Sequence, residues 1–232
     1  MTTAHTIRFP GETDEYRAAR EKLLDAEVEL RRQVERVAAM RRALPVGGEI
    51  PQDYVFEEGS ANLADREQVQ EVQLSELFEH GKDTLMLYSY MYGPAMAKPC
   101  RMCTSLIDSL DGAAVHLNQR VNFAIVARSP VQRIRDVARE RGWTHLTILS
   151  SANNTYNWDY HAETPDGAQL PVMTVFVRRD GAIRHFYSTE MLWAQSDLNE
   201  DSRHVDMMWP LWNMLDLTPE GRGSGWGPKL SY

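Results

Sequence analysis

The 232-residue chain has only two cysteines, Cys100 and Cys103, so no framework of disulfides holds it together and covalent redox chemistry is confined to one place. No apolar run approaches the ~20 residues needed to cross a bilayer, and Met1 to Pro10 lack the apolar core of a signal peptide. Cation is scarce: 25 Lys and Arg face 33 Asp and Glu, a formal charge of -8, which argues against general nucleic-acid binding because phosphate neutralisation needs a concentrated basic surface. There is no second CxxC and no HxxxH pair to complete a four-ligand structural zinc site. The expected setting is cytoplasmic, where a close cysteine pair is more often catalytic or metal-binding than structural.

What remains is ordinary for a globular domain of generous size, with 43% hydrophobic and 25% charged residues, and a core can form without staples. From Asp14 to Ala43 one long amphipathic pattern, with Leu23, Leu30, Val37 and Leu44 seven apart, predicts a helix. Thr13 or Asp14 caps its start, and Leu44-Pro45 with Gly47-Gly48 ends it. Its charged positions suit a solvated face, with packing against a second subunit as the minority reading.

A short strand is expected at Tyr54-Val55-Phe56, then a polar loop or frayed helix from Glu57 to Glu71, then a small apolar turn at Leu74, Leu77 and Phe78. The strand-like run from Thr84 to Tyr90 precedes a loop with Gly93, Pro94 and Pro99. Leu106, Ile107, Leu110, Ala114 and Leu117 then follow at helical spacing. Val121 to Ala127 has the near-continuous apolar character of a strand buried on both faces. Ser129-Pro130 predicts a helix with Ser as N-cap and Pro at the first position, ending at Gly142, and Leu146 to Ser150 is the next strand. Asn153 to Gly167 is an irregular, aromatic excursion that suits either a functional surface or a roof over the core. Pro171 precedes a hairpin from Val172 to Ser188 that turns at Asp180-Gly181. The end of the chain offers a helical pattern from Val205 to Leu215, interrupted by Pro210, and a flexible terminus. The organisation expected is a helical extension over 1–50, a main domain over 51–220 and a tail over 221–232.

The two cysteines fall at the first turn of the helix after Pro99. There, unpaired backbone N–H groups, the positive end of the helix dipole and the nearby Lys98 and Arg101 all favour a thiolate. Cys100, nearer the mouth, is the expected attacking sulfur, and Cys103, one turn later, the resolving one. Three other readings of the pair stay open: half a zinc site, two packed apolar residues, or a structural disulfide closing a short loop.

Alternating strands and helices followed by a hairpin, with CxxC opening the first helix and X-Pro before the hairpin, are similar to the thioredoxin fold. Further segments narrow the likeness: Leu87-Tyr88-Ser89-Tyr90-Met91-Tyr92-Gly93, Cys100-Arg101-Met102-Cys103-Thr104, Arg141-Gly142-Trp143, Asn154-Thr155-Tyr156-Asn157-Trp158-Asp159 and Arg184-His185-Phe186-Tyr187-Ser188-Thr189. With them the chain resembles, over nearly its whole length, the DUF899 family of thioredoxin-like proteins, described as predicted dithiol-disulfide oxidoreductases. The resemblance implies an α/β, three-layer thioredoxin-like fold with a mixed central sheet and an added long N-terminal helix. It further implies a dithiol-disulfide oxidoreductase that acts through Cys100 and Cys103; the expected substrate is a thiol or disulfide, protein or small molecule, and no cofactor is expected. In thioredoxin-like proteins the proline before the hairpin is cis and faces the dithiol, a substrate-binding place that falls to Pro171.

The likeness has departures. Pro99 precedes the first cysteine where thioredoxin has Trp, and Arg101-Met102 replaces Gly-Pro, which alters redox poise. A peroxiredoxin-type site would carry Thr where this chain has Ala97. His116 and His185 occupy family motif positions, and most such histidines are hydrogen-bonded structural residues. The alternative is a copper site, since two thiolates and one imidazole suit Cu(I) and thioredoxin-like copper chaperones pair a cysteine motif with a distal histidine; Cys100, Cys103 and His185 would be the ligands. A third reading is a non-catalytic assembly protein that associates through the long helix and Trp209, Trp212 and Trp226, the helix also being the expected route to a homo-oligomer.

Overall fold

The computed structural model describes residues 7–195, 203–223 and 225–232, and the chain divides after Pro45 into two compact units. The first is built on α1, Asp14–Arg42. Thr13 Oγ1 accepts from the Tyr16 N–H at 3.1 Å, Asp14 and Glu15 occupy the positive end of the helix dipole, and Arg41 and Arg42 the negative end. Leu23 and Leu30 stand exposed along it.

The second unit holds a seven-stranded mixed sheet: β1 (Val55–Gly59), β2 (Val69–Gln73), β3 (Thr84–Ser89), β4 (Asn122–Ala127), β5 (Thr147–Ser150), β6 (Met173–Arg179) and β7 (Ala182–Ser188). Their order across the sheet is β2-β1-β5-β4-β3-β6-β7. β3, β4 and β5 run parallel, connected through α2 (Arg101–Leu117) and α3 (Val131–Arg141), whereas β1, β6 and β7 join by antiparallel pairing. Right-handed crossovers that step the same way across a sheet put both helices on one face. This is a thioredoxin-like arrangement, enlarged on the β5 side by β1 and β2.

Burial explains the pattern of residues. Every residue of β4 is buried, as its apolar run requires. Phe123, Ile125 and Ala127 meet the α2 stripe of Cys103, Leu106, Ile107, Leu110 and Ala114, while Ala124 and Val126 join Tyr54, Phe56, Tyr156 and Phe176 on the opposite face. That second face is covered by the short α4 (Tyr156–Asp159) and a 3-10 turn at Leu74–Leu77. The β6–β7 hairpin turns at Asp180 (φ 53°) and Gly181 (φ 79°), the left-handed pair that a two-residue hairpin favours. Along the outer side of β7, the Gly47 N–H donates to the His185 carbonyl at 2.9 Å, the His185 N–H to the Gly48 carbonyl at 2.9 Å, and the Ile50 N–H to the Ile183 carbonyl at 3.0 Å.

Several expectations are corrected. The polar stretch from Glu57 to Glu71 is loop over 60–68, as expected, but its ends are strand, completing β1 and beginning β2, and none of it is helix. The α3 helix begins at Val131 with Pro130 as its cap residue, and Ser129 supplies no cap; its hydroxyl donates to the Gly93 carbonyl at 3.2 Å instead. Of the excursion after Asn153, Tyr156 is core and Trp158 is exposed. Pro210 starts α5 (Pro210–Leu215) rather than interrupting a longer helix. Among the described residues no helix is long and apolar enough to cross a membrane.

Candidate active site

The Cys100–Cys103 pair sits where α2 emerges from the loop after β3. Cys100 is the N-cap residue of α2, extended at φ -62° and ψ 120°, and its N–H donates to the Met91 carbonyl at 3.0 Å. The loop between them is fastened from α3. Arg133 donates to the carbonyls of Pro94 at 3.2 Å and Met96 at 2.5 Å, and its guanidinium lies 4.5 Å over the Tyr92 ring.

The two sulfurs differ in environment. Both are free thiols, Cys100 half-buried and Cys103 buried at 4% exposure. Cys100 is drawn down to about 6, first by the Cys103 thiol that hydrogen-bonds to it, against a desolvation cost, with further help from the N–H groups of Cys103 and Met102 and the charge of Arg101. Cys103 is pushed well up, by its hydrogen bond to Cys100 and by burial, while Tyr88 and the Met91 N–H pull weakly the other way. One thiol thus holds the proton and the other the negative charge.

Two residues that sequence reasoning passed over hold this geometry. Thr104 lies one turn after Cys100, where a Thr hydroxyl reaches back to the carbonyl four residues earlier, and Oγ1 donates to the Cys100 carbonyl at 2.9 Å. Having spent its one proton there, it accepts from Tyr90 Oη at 2.6 Å, so the order runs Tyr90 to Thr104 to Cys100. The only hint in the sequence was the Thr immediately after the motif.

Pro171 is half-buried just before β6, where the Val172 carbonyl accepts from the Ser89 N–H at 2.8 Å. This puts it at the end of the sheet from which Met91 reaches the cysteines. The cis bond implied for it is absent: among the described residues every peptide is trans. Leu170, tied through its N–H to the Ala162 carbonyl at 2.8 Å, enters β6 on a course that the default trans isomer satisfies.

The histidines lie elsewhere. His185 on β7 stacks on Tyr160 at 5.9 Å and bonds Ser188 Oγ through Nε2 at 2.9 Å, and burial lowers its pKa. Its ring neighbours, Tyr160 and Phe176, belong to the face of the sheet opposite Cys103, so the set of Cys100, Cys103 and His185 expected for copper is not brought together. His116 is exposed at the end of α2. Among the described residues no group of three or more His, Cys, Asp or Glu is arranged to hold a metal ion.

The parallel β3-α2-β4 unit, the antiparallel hairpin beside it and the unbonded dithiol at the start of α2 define a thioredoxin-like protein. The chain belongs to the DUF899 family, described as bacterial protein of unknown function, which it matches over residues 6–230. Solved structures with partial likeness include thioredoxin peroxidase I of Plasmodium yoelii, 15% identical, covering 80% of this chain and 100% of that one at a TM-score of 0.46. AhpC of Enterococcus faecalis is 7% identical, with 74% and 94% covered and a TM-score of 0.46. The exposed lipoprotein thioredoxin of Streptococcus pneumoniae is 10% identical, with 68% and 98% covered and a TM-score of 0.40. No curated protein matches the sequence.

Proposed function

We propose that the protein is a thiol-disulfide oxidoreductase of the reducing cytoplasm. The observation that carries this reading is the asymmetry of the pair: a half-exposed Cys100 with its thiol pulled down, hydrogen-bonded to a buried Cys103 with its thiol pushed up. The Cys100 thiolate attacks one sulfur of a substrate disulfide, the substrate S–S bond breaks, and the departing sulfur leaves as a thiolate and takes a proton from solvent. Cys103 then gives up its proton and attacks the Cys100 sulfur. The second half of the substrate leaves as a thiol, and a Cys100–Cys103 disulfide remains. Two electrons pass from the dithiol to the substrate, and no cofactor is needed. Pro171, at the same end of the sheet, presents backbone to the bound chain. The exposed Leu23 and Leu30 support pairing of two copies through α1, which sedimentation of a Leu23→Glu/Leu30→Glu variant would abolish.

The test is trapping. In Cys103→Ser the second displacement cannot occur, so mixed disulfides on Cys100 accumulate in cells and run as thiol-sensitive adducts, whereas Cys100→Ser forms none. If neither variant traps a partner and Cys100 resists alkylation at neutral pH, the reading fails. Metal analysis of protein purified without chelator, followed by Cu(I) titration, addresses the copper alternative separately.

A further inference from the structure

Beside the first turn of α2 lies a cavity of about 490 Å³, a volume that suits a small molecule. The wall nearest the dithiol is Met102, the residue directly before Cys103, and three indoles, Trp209, Trp212 and Trp226, stand among the other walls beside Arg203, Asp206 and Arg222. Trp212 meets Trp209 edge to face at 5.3 Å and Trp226 edge to face at 6.1 Å. Trp226 itself is 48% exposed, so its ring is open to an incoming group. A Cβ at Gly227 would stand 3.7 Å from Met102 Sδ and 3.9 Å from Arg101 Nη2, ordinary contact distances, so the tail runs against the cysteine motif itself.

The charges at the rim cancel. Arg222 pairs with Asp206 at 2.5 Å and Asp216 at 2.7 Å, Arg203 pairs with Asp216 at 3.1 Å, and the Arg222 guanidinium rests 5.5 Å over Trp212. With those ion pairs made, the uncharged surface offered to a ligand is that of Met102, Val205 and the three indoles, with His204 beside them. One buried donor also lacks an acceptor among the described residues, the indole N–H of Trp209.

We infer that this cavity is the specificity pocket of the dithiol and takes an uncharged aromatic group attached to the substrate sulfur. The inference rests on the redox reading above and narrows it, from disulfides in general to compact aryl or aralkyl disulfides. A charged peptidyl disulfide such as glutathione disulfide would have to compete with Asp206 and Asp216 for Arg203 and Arg222. In the reaction, the ring of the substrate R–S–S–R′ lies between Met102 and Trp226 while Cys100 bonds to the attached sulfur. R′ leaves as a thiolate, and R is released as a thiol when Cys103 closes the internal disulfide.

The experiment compares iodoacetamide with N-benzyl iodoacetamide on the reduced full-length protein, two reagents with the same electrophile that differ by one ring. The rate constants for Cys100 are read by mass spectrometry and divided by those for a free thiol. The benzyl reagent should react about tenfold faster than iodoacetamide, a margin of the size one ring contact supplies, with a rate that saturates. Unreactive N-benzylacetamide should compete with it, and the preference should vanish in Trp226→Ala and survive in Trp226→Phe. Equal corrected rates on the wild type, or a preference that Trp226→Ala leaves intact, overturn the pocket while the dithiol chemistry stands. A Cys100 that neither reagent modifies at neutral pH overturns both. The competition by N-benzylacetamide is read on the wild type alone, so the outcome does not depend on the variant folding.

Discussion

The carbonyl oxygen of Cys100 accepts two hydrogen bonds from one residue, Thr104, through its backbone N–H at 3.0 Å and its Oγ1 at 2.9 Å. The hydroxyl of Tyr90, a residue 1% exposed, depends on the same Oγ1 for its acceptor. Thr104→Val keeps the shape and the backbone N–H bond but removes both bonds of Oγ1, leaving the Tyr90 hydroxyl buried and unpaired. Urea unfolding should show a loss of roughly 1–3 kcal/mol, and Thr104→Ser should recover most of it.

The lowered Cys100 thiol sets a pH profile. With a midpoint of about 6, the thiolate fraction at pH 7 is roughly 90%, against ~3% for an ordinary thiol near 8.5. Alkylation of Cys100 should therefore rise through pH 6 and be nearly flat from pH 7 to 8, followed by mass spectrometry of the modified peptide. Because the Cys103 thiol is the largest cause, Cys103→Ala should move the midpoint upward, toward 8.5.

Asp108 on α2 links that helix to the turn after α3. Arg141 bonds both of its carboxylate oxygens, and Trp143 Nε1 donates to Oδ1 at 2.8 Å from a side chain that is 1% exposed. Asp108→Ala strands a buried indole N–H and removes an Arg–carboxylate fork, and should cost about 2–4 kcal/mol by chemical denaturation. Asp108→Asn, which still accepts from the indole, should cost less.

Gly59 ends β1 under the side chain of Arg135, where a Cβ would come within 2.5 Å of Arg135 Cδ and 2.7 Å of Cζ. Arg135 is 4% exposed and donates to the carbonyls of Ser60, Asn62 and Asp65. Gly59→Ala should displace the guanidinium, expose the β1–β2 connection to limited proteolysis between 60 and 68, and lower stability by roughly 2 kcal/mol or more.

What the sequence conveyed best was whatever burial imposes on residue type. β4, buried on both faces, could hardly be anything but a strand, and the left-handed turn at Asp180-Gly181 leaves few residues to choose from. The cysteine pair at a helix start was likewise legible, because Pro99 and the apolar spacing after it fix where α2 begins. β2 was not: Val69–Gln73 is a largely exposed strand whose side chains answer to solvent, so its composition mimics a loop. His185 shows a different limit. A register shift between Val175 and Phe176 enters the β6–β7 pairing, and a change of one residue there alters which face a side chain takes, which no spacing in the sequence announces. The bonds of Arg133, Arg135 and Thr104 to carbonyls were equally hidden, since carbonyl partners leave no trace in residue identity.

The strip from Gly47 to Ile50 along β7 has a bearing on how the protein keeps company with itself. With that flank already occupied, among the described residues β2 is the edge strand that pairs on one side alone, and Glu71, facing Glu57 across the pair, stands in the middle of it. A carboxylate in that position repels a like neighbour, so sheets of this protein should resist stacking edge to edge into fibres.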